Sequence, residues 1–140
     1  ALDLEGGEPL SFTLEEEAQA TCTYGPPLAF LYEPHAALMK AAPFGLLGER
    51  YGLAKLHRHT HLYTSQNLVP FPGRRFRLRE VLPYKAGRLP FVKAHVATRN
   101  FPESVAAIRR RTGIKPGGET YLFFVKISDD SLKVLVTEAV

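Results

Sequence analysis

The chain has 140 residues with 45% hydrophobic and 23% charged residues, an ordinary balance for one compact globular domain or two small ones. Its single cysteine, Cys22, excludes an internal disulfide and fits a reducing compartment, and no apolar run is long enough to span a bilayer. The formal charge of +4 conceals an asymmetry: residues 1–39 carry seven acids and no Lys or Arg, whereas residues 40–140 carry all 18 bases and seven acids.

Ala1 to Leu4 alternate like a strand with no initiator Met before them, which predicts a piece of a longer chain. Leu2-Asp3-Leu4 and Leu10 to Leu14 flank Gly6-Gly7 and read as a hairpin, and Glu15-Glu16-Glu17 reads as an exposed turn or helix start. Gly25-Pro26-Pro27 breaks the chain. A short apolar strand is predicted over Leu28 to Tyr32. Glu33-Pro34 is expected to end it and open a helix through Ala36, Ala37, Leu38 and Met39. After Pro43 a second helix places Phe44, Leu47 and Tyr51 on one face, with Gly52 as its left-handed cap.

His57-Arg58-His59-Thr60-His61 would place three imidazoles on one face if it were extended. Three histidines can hold zinc, but adjacent same-face rings are widely spaced and no acid or thiol lies nearby in sequence. The expectation is no metal, with the histidines facing solvent or phosphate. His61 to Thr64 reads as a strand, and Val69 to Gly73 as a rigid break and a domain boundary.

Beyond the break, Phe76, Leu78 and Val81 mark a strand punctuated by Pro83. Residues 84–93 are irregular or weakly helical, and His95 to Arg99 is a short strand. Asn100 is the expected N-cap of the next helix, with Glu103 at its third position. Val105 and Ile108 share a face, Arg109 to Arg111 fill the last turn, and Gly113 ends the helix. Tyr121 to Ile127 and Leu132 to Thr137 are strands joined by a turn at Ser128 to Ser131. The fold class is α+β.

The chemistry-bearing signal is basic. Arg74 to Lys115 holds twelve bases against Glu80 and Glu103, a formal +10, and such density attracts polyanions. On a strand, Arg75, Arg77 and Arg79 face one way and Phe76 and Leu78 the other. Guanidinium forks suit phosphate oxygens, so the candidate RNA-binding residues are Arg74, Arg75, Arg77, Arg79, Arg99, Arg109, Arg110 and Arg111. No glycine-rich turn matches a dinucleotide or phosphate-binding fingerprint, and no serine or cysteine stands in a catalytic context. No catalytic residue is assigned.

FLYEPHAALMKAAPFGLLGERYGLAKLH (residues 30–57), THLYTS (60–65), FPGRRF (71–76) and the LPY around Pro83 resemble the region that follows the catalytic domain in a bacterial class I S-adenosylmethionine-dependent methyltransferase family. Thr98-Arg99-Asn100-Phe101-Pro102 and the basic helix after it look like a THUMP-like domain, and the preceding segment like its small ferredoxin-like companion. Two departures stand out: Lys85 to Lys93 is shorter and more broken than the family's helix, and Arg99-Asn100 replaces an Arg-Gly-like turn.

The resemblance implies a ferredoxin-like domain over residues 1–72 and a THUMP-like domain over 73–140. It implies a non-catalytic part that orients an RNA substrate, tRNA being the usual one for THUMP modules. The parent's N-terminal domain would hold S-adenosylmethionine, and this chain no cofactor. The expected location is cytoplasmic, with no membrane partner. The alternative is a structural or protein-interaction module of a methyltransferase that acts on a small molecule or protein.

Overall fold

A computed structural model describes residues 22–41, 43–85 and 89–140. The expected hairpin within residues 1–14 and the acidic turn after it lie outside the described residues. The elements run β1 (Phe30–Pro34), α1 (Ala36–Ala41), α2 (Phe44–Tyr51), β2 (Ala54–His57), β3 (Thr60–Ser65), β4 (Gly73–Pro83), β5 (His95–Arg99), α3 (Val105–Thr112), β6 (Thr120–Lys126) and β7 (Leu132–Ala139). All seven strands form one sheet in the order β2-β3-β1-β4-β7-β6-β5, with only β5 and β6 parallel. Among the described residues no helix is long and apolar enough to cross a membrane.

Strand alternation divides the apolar side chains between two faces of this sheet. One face carries Leu31, Leu56, Leu62, Phe76, Phe123 and Leu135, with Ala97 packed against them, so every strand contributes to one cluster. The opposite face carries two clusters. Tyr32 and Tyr63 meet Leu38 and Leu47 from α1 and α2. Leu122, Phe124, Val134 and Val136 meet Ile108 of α3. Neighbouring residues thus separate cleanly: Leu31 from Tyr32, Leu62 from Tyr63, Phe123 from Phe124.

The helices cover only the outer face, and the sheet shields the inner one by curling. Arg99 on β5 forks onto Glu33 of β1, although three strands lie between β1 and β5 in sheet order. Thr60 of β3 donates its hydroxyl to the Lys126 carbonyl at 2.6 Å. β4 makes the bend possible. It has 11 residues, and its register against β7 slips between Leu78 and Glu80, leaving Arg79 as an extra residue. Such a bulge bends its strand and sharpens the local twist.

The domain boundary expected at Val69 to Gly73 does not divide the molecule into two separate cores. Gly73 to Arg77 pair with β1 while Phe76 to Pro83 pair with β7, so one strand serves both halves. Each half keeps its own helix-covered outer core, but the inner core is shared. Neither the composition break nor the charge reversal constrains which strand edges pair. A glycine is required at the junction: a Cβ on Gly73 would collide with the Glu33 carbonyl oxygen.

Local expectations differ in three further places. β1 continues through Pro34, and α1 starts at Ala36. Strand β2 had no counterpart in the sequence reading, because Ala54 to His57 is only four residues long. The N-cap of α3 is Ser104, whose hydroxyl accepts the Ala107 N–H at 3.1 Å. Asn100 instead adopts φ 54°, four residues earlier. That is the left-handed region where asparagine, among non-glycine residues, is best tolerated, so Asn can stand at a turn suited to Gly. Glu103 pairs with Arg111 rather than closing a capping box. Residues 84–85 and 89–93 contain no helix.

Candidate nucleic-acid interface

The eight arginines fall into three places. Arg75, Arg77 and Arg79 lie on β4. Arg77 and Arg79 both approach Glu138 of β7, Arg77 at 3.7 Å, and both keep about half of their side-chain surface exposed, 49% and 55%. Arg75 donates to the Val69 carbonyl at 3.3 Å. Phe76 is buried on the inner face and Leu78 packs beside it. One carboxylate shared between two guanidinium groups leaves this stripe positive.

Arg74 and Arg99 converge on Glu33, the former at 3.0 Å from Oε1 and the latter with Nε at 2.9 Å from Oε2. Glu33 is only 13% exposed, so these ion pairs stitch the mouth of the curled sheet. Arg74 also lies over the rings of Phe76 and Tyr121.

The third place is the end of α3. Arg109 donates to the carbonyls of Ile114 and Ala94, at 3.1 and 3.2 Å, and ties the helix to the chain entering β5. Arg111 forks onto Glu103 and donates to the Tyr84 hydroxyl at 2.7 Å. Arg110 is exposed. The basic run therefore mixes guanidinium groups engaged inside the fold (Arg99, Arg109, Arg111) with exposed ones (Arg74, Arg77, Arg79, Arg110).

A family model described as a ferredoxin-like domain matches residues 30–72. A second, described as THUMP domain-like, matches residues 73–139. Residues 30–139 are a ferredoxin-like domain joined to a THUMP-like domain. Its structure is similar to that of a protein from Porphyromonas gingivalis W83 provisionally named a methyltransferase, with a TM-score of 0.87 and 36% identity. The match covers 99% of this chain and 36% of that one. The chain thus spans about a third of that protein's length. No match was found among curated proteins.

All eight arginines belong to the THUMP-like domain, and Glu33, which holds two of them, to the ferredoxin-like domain. The histidine run does not form one strand. His57 ends β2, Arg58-His59 make the turn, and His61 lies in β3. His61 stacks on Phe44 of α2 with centroids 3.8 Å apart. Burial, then the charges of Lys55 and His59, lower its pKa to about 4. Among the described residues no group of three or more His, Cys, Asp or Glu side chains could hold a metal ion.

His57 has a different role. Its Nδ1 accepts the His59 N–H at 3.0 Å, which leaves the ring proton on Nε2, donated to Asp130 at 2.6 Å. Asn100 approaches the same Nδ1 at 3.4 Å and the Thr60 hydroxyl at 3.3 Å. His57 thereby joins the β2–β3 turn to the β6–β7 turn and the β5–α3 connection. No sequence signal links His57 to Asp130, because they lie 73 residues apart.

Proposed function

We propose that the chain is the non-catalytic C-terminal part of an S-adenosylmethionine-dependent methyltransferase and that it holds structured RNA, tRNA being the first candidate, through phosphate contacts. The THUMP-like domain and the partial-length similarity to the provisionally named methyltransferase support the accessory role. The observation that carries the RNA reading is the exposed β4 stripe. Arg77 and Arg79 share one acid, and Arg75 lies on the same strand. Such a face favours phosphates without reading bases.

S-adenosylmethionine and the chemistry are assigned to a catalytic domain of the parent, with which this part would share a cytoplasmic chain. Gly117-Gly118 lead into strand β6 rather than from a strand into a helix N-terminus, which supports assigning the cofactor to that domain.

Titration of a tRNA pool into the chain tests the reading. Affinity should fall steeply with salt as counterions are released. Charge reversal at Arg75, Arg77 and Arg79 should weaken binding to all sequences alike, and reversal at Asp129 should not. Absence of binding at low salt, or binding indifferent to salt and to these arginines, removes the RNA reading.

The second reading, a module that packs against the rest of a methyltransferase acting on a small molecule or protein, is favoured by one observation. Arg99, Arg109 and Arg111 spend their guanidinium groups on internal contacts, so part of the basic density is structural. Under this reading the β4 substitutions would alter association with the catalytic domain and leave RNA unaffected.

A further inference from the structure

The β2–β3 turn leans over the β6–β7 turn and leaves a depression of about 360 Å³ lined by Tyr24, His57, Arg58, His59, Ser128 and Asp130. Across Asp130 it adjoins a second depression of about 390 Å³, bordered by Asn100, Phe101 and Lys126. The two make one trough at the closing seam of the sheet, apart from the β4 stripe.

Its chemistry is mixed in a specific way. Tyr24 is 47% exposed, and its backbone is fixed: Gly25 donates to the Lys55 carbonyl at 3.1 Å, and the Lys55 N–H donates to the Thr23 carbonyl at 2.8 Å. The ring is therefore an exposed aromatic on a rigid support. Arg58 and His59 are both exposed and line the same depression. Asp130 is 75% exposed yet held in place by His57. The two non-glycine residues at positive φ among the described residues, Asn100 at 54° and Asp130 at 65°, both border this trough. Left-handed backbone costs free energy in residues with a Cβ, and such positions collect at ligand sites.

We propose that this trough is a binding site for a single nucleotide. The base stacks on Tyr24, the phosphate is held by Arg58 and His59, and the Asp130 carboxylate accepts a hydrogen bond from an exocyclic amino group. Aromatic stacking next to a cationic group is how unpaired nucleotides are held with little base selection. An acidic acceptor adds a preference for bases that carry an amino group. The site rests on the RNA reading only for the source of its ligand, an unpaired nucleotide of the RNA rather than a free one.

The experiment titrates adenosine 5′-monophosphate, uridine 5′-monophosphate and inorganic phosphate into the isotopically labelled chain, followed by NMR at Tyr24, Arg58 and His59. The adenine nucleotide is expected to shift all three residues and to bind roughly tenfold more tightly than phosphate, with the uracil nucleotide between them. Tyr24→Ala and Arg58→Ala, both at exposed positions, should each weaken it by roughly tenfold while leaving the remaining spectrum in place. Charge reversal at Arg75, Arg77 and Arg79 should leave mononucleotide binding unchanged, which separates this site from the phosphate stripe. Equal affinity for nucleotide and phosphate would reduce the trough to an anion site and overturn the proposal. Shifts confined to β4, or none at Tyr24, would overturn it as well.

Discussion

Arg99 reaches across the mouth of the curled sheet to Glu33, joining β5 to β1 although β4, β7 and β6 lie between them in the sheet. The pair is two-pronged and Glu33 is largely buried, so it holds the two domains in one orientation as well as contributing charge.

Removing Arg99 is expected to be costly. Loss of one partner from a buried pair costs 3–5 kcal/mol. The guanidinium here is partly exposed and Arg74 remains beside Glu33, so Arg99→Ala should cost roughly 2–3 kcal/mol, read as a lowered urea midpoint. Arg99→Lys should recover only part of this, because an ammonium cannot make the fork.

Gly73→Ala should be among the most damaging single-methyl additions in the chain. The obstacle to its Cβ is the Glu33 backbone, which has no rotamer to change. A loss of roughly 3 kcal/mol is expected, at the top of the range for overpacking. Gly52→Ala is the control. Its φ is 68° but its Cβ would meet open space, so only the left-handed strain of roughly 1–2 kcal/mol applies. Thermal melts of the two variants give the comparison.

The chain should unfold in one transition despite its two domains. Leu31, Leu56 and Leu62 from the ferredoxin-like domain share a cluster with Phe76, Phe123 and Leu135 of the THUMP-like domain. Far-UV circular dichroism and tyrosine fluorescence should give coincident denaturation curves. Residues 73–140 expressed alone should bind a hydrophobic dye and show poorly dispersed NMR spectra, because the inner face of β4, β6 and β7 would be bare. A well-dispersed spectrum from that piece would mean that the shared cluster is dispensable.

His61 should make stability depend on mildly acidic pH. Its folded-state pKa of about 4 lies below the ordinary histidine value of 6.5, so the unfolded chain binds the proton more readily between these values. Stability is therefore fully present above pH 6.5 and falls as pH drops toward 4. Solvent screening of a partly exposed ring limits the effect to about 1 kcal/mol. His61→Gln should flatten the melting temperature against pH in that window relative to the parent chain.

The sequence by itself determined most of the local structure. Pro43 and Gly52 delimit α2, Gly113 ends α3, and the alternation of Phe76 and Leu78 with arginines announced β4, because each depends on backbone sterics or strand period alone. The ferredoxin-like and THUMP-like fold class was legible in the FLYEP, THLYTS and FPGRRF segments and in Thr98 to Pro102 with the basic helix after it. The tertiary structure decided what depends on distant partners. It set the curl that brings β5 to β1 and the shared inner core, since strand alternation specifies a buried face but not which strand edges join. It separated the arginines that serve the fold from those that face solvent, since a guanidinium looks the same in sequence whether or not an acid lies 66 residues away, as Glu33 does from Arg99. It also turned a run of histidines into a hairpin tip, because Arg58-His59 bend where β2 must fold back to let Leu56 and Leu62 share one face.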